Sequence, residues 1–235
     1  MTQNDTKINI LVVEDDLNLG FLIKENLQDK GFETMIATNG INAMNAIHNI
    51  PFDLCILDVM LPEEDGFMVA TRLREKYPEI PFVFLTARSN ENDKLTGFEL
   101  GAEDYILKPF SFKELLYRIK VVLRRQAKTP QEAGKIDILT MSDTVLDSIQ
   151  RVLEVKGNIR KISNRENDLL CILLQNKGNY ISRSEILKQI WGRDDYFTAK
   201  SMDVFLTRLR KLLKDDDKLE IENLYGTGYR IHMKM

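Results

Sequence analysis

Several common features are scarce in these 235 residues, and each absence narrows the reading. No apolar run approaches the ~20 residues of a membrane-spanning helix. The start, Met-Thr-Gln-Asn-Asp-Thr-Lys, lacks the charged-then-apolar plan of a signal peptide, so the expectation is a protein that stays in the cytoplasm without a membrane partner. Cysteine is nearly missing. Cys55 and Cys171 lie in apolar surroundings in different halves, which suits reduced core thiols better than a disulfide or a thiolate metal site. No internal repeat or long low-complexity tract appears. A strong charge of one sign is also lacking, because the formal net charge is only −3.

That small net charge hides an asymmetry. Residues 1–125 hold 14 Lys+Arg against 20 Asp+Glu, whereas residues 126–235 hold 19 against 16. An acidic half therefore precedes a mildly basic one, and the two halves should have different partners. An excess of three positive charges does not by itself establish nucleic-acid binding. The length allows two ordinary domains, each with its own core.

The first half alternates short apolar runs with amphipathic segments. Strands fit Ile8–Val13, Thr34–Thr38, Leu54–Leu57, Phe82–Leu85 and Tyr105–Leu107. Helices fit a segment carrying Leu19, Leu22, Ile23 and Leu27, then Ile41–Ile50, Phe67–Tyr77, Asn92–Leu100 and Ser111–Arg125. Strands alternating with helices of this length predict a doubly wound α/β domain, a five-stranded parallel sheet covered on both faces.

In such a sheet, ligands bind beyond the carboxyl ends of the strands. The predicted strand ends carry Glu14-Asp15-Asp16, then Asp58, Thr86 and Lys108-Pro109. Clustered acidic oxygens suit a hard cation such as Mg²⁺. A lysine and a hydroxyl in the same place suit a phosphoryl group neutralised from two sides, with Asp58 as the nucleophile that becomes an acyl phosphate. Each residue also has an ordinary reading: Asp15 or Asp16 as a helix cap, Thr86 satisfying backbone, Lys108 solvated. Four such residues at four strand ends favour the shared site.

Val12-Val13-Glu14-Asp15-Asp16, Leu57-Asp58-Val59-Met60-Leu61-Pro62 with Asp65-Gly66, Leu85-Thr86-Ala87-Arg88 and Tyr105-Ile106-Leu107-Lys108-Pro109-Phe110 resemble, in order, the signatures of the receiver domain of two-component response regulators. The resemblance implies that Asp58 accepts a phosphoryl group from a sensor histidine kinase. It makes Asp15, Asp58 and the Met60 carbonyl direct Mg²⁺ ligands, with Glu14 assisting. It makes Thr86 and Tyr105 a switch pair, places Lys108 on the phosphoryl oxygens, and implies a cis bond before Pro109. Lys94, Leu95, Phe98, Glu99, Asp104, Glu114, Arg118 and Lys120 resemble the activated dimer face of the OmpR/PhoB subfamily. The implied pairs across a two-fold axis are Lys94 with Glu114, Glu99 with Lys120 and Asp104 with Arg118, around Leu95 and Phe98.

Residues 126–135 lack apolar periodicity and contain Pro130 and Gly134, which reads as a flexible linker. Domains are thus expected at 1–125 and 136–235. The second opens with strand-like pieces at Lys135–Thr140, Thr144–Asp147, Arg151–Val155 and Asn158–Ile162. Ser163 with Glu166, and Ser182 with Glu185, mark two helix starts. A third helix, about Ala199–Leu213, turns Met202, Phe205, Leu206, Leu209, Leu212 and Leu213 inward and Lys200, Ser201, Val204, Thr207, Arg208 and Lys211 outward. The hairpin Leu219–Tyr225 and Tyr229–Met233 then completes an α+β winged helix-turn-helix.

Ile181 to Gly192, Met202 to Lys211 and Tyr225 to Tyr229 resemble the effector domain of the OmpR/PhoB family. By position, Ser201, Val204 and Arg208 are expected at base edges, with Lys211 on the same outward face. Lys200, Thr207, Arg210, Trp191 and Tyr229 are expected at phosphates, although the two aromatics equally suit a packing role. Two positions depart from the family: Tyr225 replaces a common wing Arg, and Thr207 replaces a common basic residue. Fewer phosphate contacts and a shallower salt dependence should follow. Met60 cannot orient an attacking water, so self-dephosphorylation should be slow.

The expected protein is therefore a phosphorylation-switched transcription regulator with Mg²⁺ as cofactor, and not an enzyme beyond its own phosphorylation and dephosphorylation chemistry. Its implied partners are promoter DNA repeats, a histidine kinase, RNA polymerase and, once phosphorylated, a second copy. The competing readings are an Asp-nucleophile phosphatase, which usually has a second acid where Met60 stands, and a DNA-binding protein that no longer uses phosphorylation.

Overall fold

The computed structural model describes residues 7–126 and 138–234. The chain divides into two compact units, 1–126 and 127–235. The expected linker, 126–135, lies outside the described residues except for Gln126, which ends a helix.

The first unit is a doubly wound α/β domain. Its elements are β1 (Asn9–Val13), α1 (Leu17–Gln28), β2 (Glu33–Ala37), α2 (Gly40–Asn49), β3 (Leu54–Leu57), α3 (Gly66–Lys76), β4 (Phe82–Thr86), α4 (Glu91–Glu99), β5 (Asp104–Leu107) and α5 (Phe112–Gln126). All neighbouring strands are parallel, in the order β2-β1-β3-β4-β5. Strands β3 and β4 are buried at every position, as apolar runs covered on both faces must be. Ile10, Val12, Leu54, Ile56, Val83 and Leu85 pack on one face against Ile23 and Leu27 of α1 and Leu115 and Ile119 of α5. The strand order reverses between β1 and β3, which creates the crevice where ligands bind in open sheets.

Local chemistry fixes the helix starts around that crevice. Asp16 caps α1 by accepting from the Asn18 and Leu19 amides, and Asp65 caps α3 at Phe67. Gly66 has no tolerance for a side chain, because a Cβ there would lie 2.0 Å from the Asp58 carbonyl oxygen. Its smallness is what allows α3 to begin directly against β3. The peptide bond between Lys108 and Pro109 is cis.

The second unit contains β6 (Ile138–Met141), β7 (Thr144–Asp147), β8 (Val152–Val155) and β9 (Asn158–Lys161) as an antiparallel sheet. Next come α6 (Asn164–Gln175), α7 (Arg183–Trp191) and α8 (Tyr196–Leu213), then the hairpin β10 (Leu219–Leu224) and β11 (Gly228–Met233). The capping box of Ser163 and Glu166 forms as expected, and Ser182 caps the Glu185 amide. Helix α8 begins three residues before the expected Ala199. Asp195 and Thr198 form a reciprocal capping box there, a polar signal that the apolar periodicity did not contain. Leu169, Leu173, Ile186, Ile190, Met202, Phe205, Leu209, Ile221 and Ile231 share one core. Cys55 and Cys171 are both buried and free, and burial pushes the Cys55 thiol well above its usual range.

Candidate functional site

The residues expected at the strand ends converge. Ladder-like bonds carry the backbone past each strand: the Glu14 amide donates to Ala37 (3.0 Å), Asp58 to Val13 (2.9 Å) and Lys108 to Thr86 (2.9 Å). Glu14, Asp15 and Asp58 thereby bring carboxylate oxygens within 4.8 Å of one another, a group that could hold a metal ion. The side chains of Asp58 and Glu14 are 5% and 3% exposed, while Asp15 faces solvent.

Lys108 reaches into this acid cluster. Its Nζ donates to Asp58 Oδ2 at 2.6 Å and to Glu14 Oε1 and Oε2 at 2.9 and 2.7 Å. Burial pulls the ammonium toward deprotonation, but its bonds to Asp58 and Glu14 outweigh that and raise its pKa, so it stays charged at neutral pH. Burial also lifts the Glu14 carboxyl above its ordinary value, despite the partly offsetting Lys108. The Met60 amide donates to Asp58 Oδ1 at 2.9 Å. One Asp58 oxygen is thus held by backbone and the other by ammonium, which fixes the carboxylate plane. Met60 itself is exposed beside it.

Thr86 is fully buried, and its hydroxyl accepts from the Arg88 amide at 3.3 Å. The Tyr105 hydroxyl donates to the Arg88 carbonyl at 3.0 Å, and burial raises its pKa. Arg88, which stands next to Thr86-Ala87 in the motif, has a role that only the contacts reveal. Its guanidinium pairs with Asp65 at 2.9 Å and approaches Asp93 to 3.9 Å, while its backbone joins Thr86 to Tyr105. Nothing in the sequence signals this, since the contacts run between three separate elements.

On α8, Lys200, Thr207, Arg210 and Lys211 are exposed and Val204 is half-buried. Ser201 is completely buried, which corrects the expectation that it faces outward. At 100° per residue, positions 201 and 208 fall on the flank between the outward stripe of 200, 204, 207 and 211 and the core residue Phe205, where the packing of neighbours decides exposure. Arg208 follows the same rule. It is half-buried, its guanidinium lies 5.6 Å from the Phe205 ring centroid, and burial lowers its pKa. Trp191 and Tyr229 take the packing alternative. Trp191 is 8% exposed, with its ring 6.3 Å from Phe205 and 4.8 Å beneath the Arg165 guanidinium. Tyr229 is 3% exposed, and its hydroxyl accepts from Arg183 at 2.8 Å.

Comparison with known proteins agrees with both units. Residues 10–120 match the model of the response regulator receiver domain, and residues 157–231 match that of the transcriptional regulatory protein C-terminal domain. The chain is 41% identical to the transcriptional regulatory protein RprY of Bacteroides fragilis (strain YCH46), over 98% of this chain and 97% of that protein. The chain belongs to the response regulators.

The transcriptional regulatory protein CssR of Bacillus subtilis (strain 168) is 35% identical over 94% of this chain and 97% of its own length. Among solved structures, the Thermotoga maritima OmpR/PhoB homologue DrrB is 28% identical, with a TM-score of 0.51 over 97% of this chain and all of that one. Family and relatives together make this response regulator a phosphorylation-dependent, DNA-binding regulator of transcription. No helix among its described residues is long and apolar enough to cross a membrane.

The expected dimer face of this response regulator has a different internal arrangement. Arg118 bonds Asp104 at 2.6 Å and Glu114 at 2.9 Å within one chain, so the pair expected to bridge two copies is already formed inside one. Asp104 opens β5 beside α5, and this neighbourhood sets the shorter path. Phe98 is 3% exposed, which removes it from the expected apolar surface patch. Leu95 and Lys94 are half-buried, and Glu99 and Lys120 are exposed.

Proposed function

We propose that Asp58 is the phosphoryl acceptor of this response regulator and that a sensor histidine kinase is the donor. The observation that carries the reading is the buried carboxylate of Asp58, held on one side by the Met60 amide and on the other by Lys108, with Glu14 and Asp15 beside it. An Asp58 oxygen forms the new bond to phosphorus as the phosphorus–nitrogen bond of the donor histidine breaks. The electron pair returns to the imidazole nitrogen, and Lys108 balances the added negative charge.

Glu14, Asp15, Asp58 and the Met60 carbonyl would hold Mg²⁺, a hard cation suited to an all-oxygen set, which neutralises phosphoryl charge when bound. Thr86 then turns its hydroxyl toward the phosphoryl group and Tyr105 follows into the space, so phosphate selects one of two packings by its differential contacts. That selection favours a homodimer through the α4–β5–α5 face and placement of α8 on promoter DNA, where the protein meets RNA polymerase. Lys200, Val204, Thr207 and Lys211 form the DNA-facing stripe, flanked by exposed Arg210 and half-buried Arg208. The protein turns over no metabolic substrate. Exposed Met60 offers no hydrogen bond to an attacking water, so phospho-Asp58 is long-lived, and a lifetime of seconds would count against this.

Treatment with a small phosphodonor and Mg²⁺, comparing the wild type with Asp58→Asn, tests the reading. Stoichiometric phosphorylation, dimerisation and tighter DNA binding in the wild type alone are expected. Continuous phosphate release from a phosphomonoester would instead indicate a phosphatase. Equal DNA binding by Asp58→Asn and phosphodonor-treated wild type would indicate a regulator that does not use phosphorylation.

A further inference from the structure

We infer that Arg183 is a positioning residue that fixes the angle between the wing and α8, an inference that rests on the DNA-binding reading of the second unit. Arg183 is the first residue of α7, a position where a cation opposes the helix dipole and needs other partners to justify it. Three partners meet it. One terminal nitrogen donates to the Tyr229 hydroxyl at 2.8 Å, and the other donates to the Ala199 carbonyl and to Asp203 Oδ2, both at 2.8 Å. The Tyr229 hydroxyl also lies 3.5 Å from Asp203 Oδ1, closing a triangle.

The geometry joins all the parts of the DNA-facing surface. Tyr229 belongs to β11, and Ala199 and Asp203 lie one turn apart on α8. Asp203 flanks the stripe, and its carbonyl accepts the Thr207 hydroxyl at 2.9 Å. Backbone contacts reinforce the wing side, where Ile181 and Tyr229 exchange two amide bonds of 2.9 Å. Gly228 permits that approach, because a Cβ there would lie 1.9 Å from the Ile181 carbonyl. The Arg183 and Asp203 side chains are 38% and 44% exposed, so their ion pair alone contributes little stability. What the guanidinium supplies is a rigid planar fork whose two terminal nitrogens, held apart, reach β11 and α8 at once, whereas an ammonium gathers its donors on a single atom at the end of a flexible stem. Among the residues of the expected DNA surface, Tyr229 is then a strut of this triangle.

The test uses the full chain and a duplex that the wild type selects from a random-sequence pool. Arg183→Met should weaken binding of that duplex about tenfold, the scale of a lost charge-assisted hydrogen bond. The slope of log Kd against log salt should stay at the wild-type value. Arg183→Lys should lose nearly as much, and Tyr229→Phe part of it. Without DNA, hydrogen exchange at the Ile181 and Tyr229 amides should accelerate in Arg183→Met and Arg183→Lys, with receiver amides unchanged. A slope flattened by about 0.9 would make Arg183 a phosphate contact and overturn the inference. Full affinity in Arg183→Lys, or unaltered exchange, would also overturn it. If the wild type selects no duplex, the DNA-binding reading fails, and the exchange measurement alone then decides whether Arg183 holds the wing to α8.

Discussion

The two units of this response regulator handle polar groups in opposite ways. The receiver gathers two acids and a lysine at one end of its sheet, where Glu14, Asp58 and Lys108 meet at the ends of β1, β3 and β5. The second unit disperses its buried polar groups as isolated ties and leaves Lys200, Arg210 and Lys211 exposed on α8. Asp216 is the clearest tie: it is 1% exposed and accepts from the Ser142 hydroxyl (2.9 Å), the Asp143 amide (3.0 Å) and the Thr144 hydroxyl (2.9 Å). A site for covalent phosphoryl chemistry needs charges concentrated away from water, whereas a nucleic-acid surface needs them exposed on a fixed frame. Removing a polar group should therefore cost folding in the second unit, and both folding and switching in the receiver.

The largest effect tests the dispersed ties. Asp216→Ala leaves three donors without their acceptor and should cost the second unit about 3 kcal/mol, read as an earlier melting transition while the receiver transition holds. Loss in both transitions would break the contrast. Next, Lys108→Met leaves two buried carboxylates facing each other and should cost the receiver about 2 kcal/mol at neutral pH. That loss should shrink on acidification, as Glu14 takes up a proton.

Glu14→Gln should move the other way, raising the receiver's melting temperature at neutral pH without metal, while weakening stabilisation by added Mg²⁺. The sign follows from the raised pKa of Glu14. The folded state keeps a proton that the unfolded chain has already released, so stability declines as pH rises from the ordinary carboxylate range through the elevated value. Glu14→Gln should abolish that slope, and its persistence would assign the slope elsewhere. The smallest effect concerns the DNA surface: Thr207→Arg should steepen the salt dependence of binding by about 0.9 on the log–log scale, with Tm unchanged.

The sequence was most legible where topology does the work. Apolar runs followed by amphipathic helices dictate a parallel sheet, and a parallel sheet delivers whatever follows each strand to one place. Asp58, Glu14, Asp15, Thr86 and Lys108 were therefore recognisable without knowing any contact. Helix α8 was legible as an amphipathic element but less so as a surface. Its apolar stripe was correct, yet Ser201 and Arg208 lie on the flank beside Phe205, where the packing of neighbours decides exposure. Asp104 and Arg118 show the same limit, since complementary charges in sequence do not say whether they pair within a chain or between two.

By itself, then, the sequence determined the order of elements, the two cores and the residues at the strand ends, because hydrophobic period and strand succession are properties of the chain. Only the tertiary structure decided which polar groups touch: Arg88 between Thr86 and Tyr105, Asp216 beneath the β6–β7 turn, and Arg183 between wing and helix. Those contacts join residues distant in sequence through side chains of fixed reach. Their existence depends on where whole elements come to rest, which no local pattern encodes.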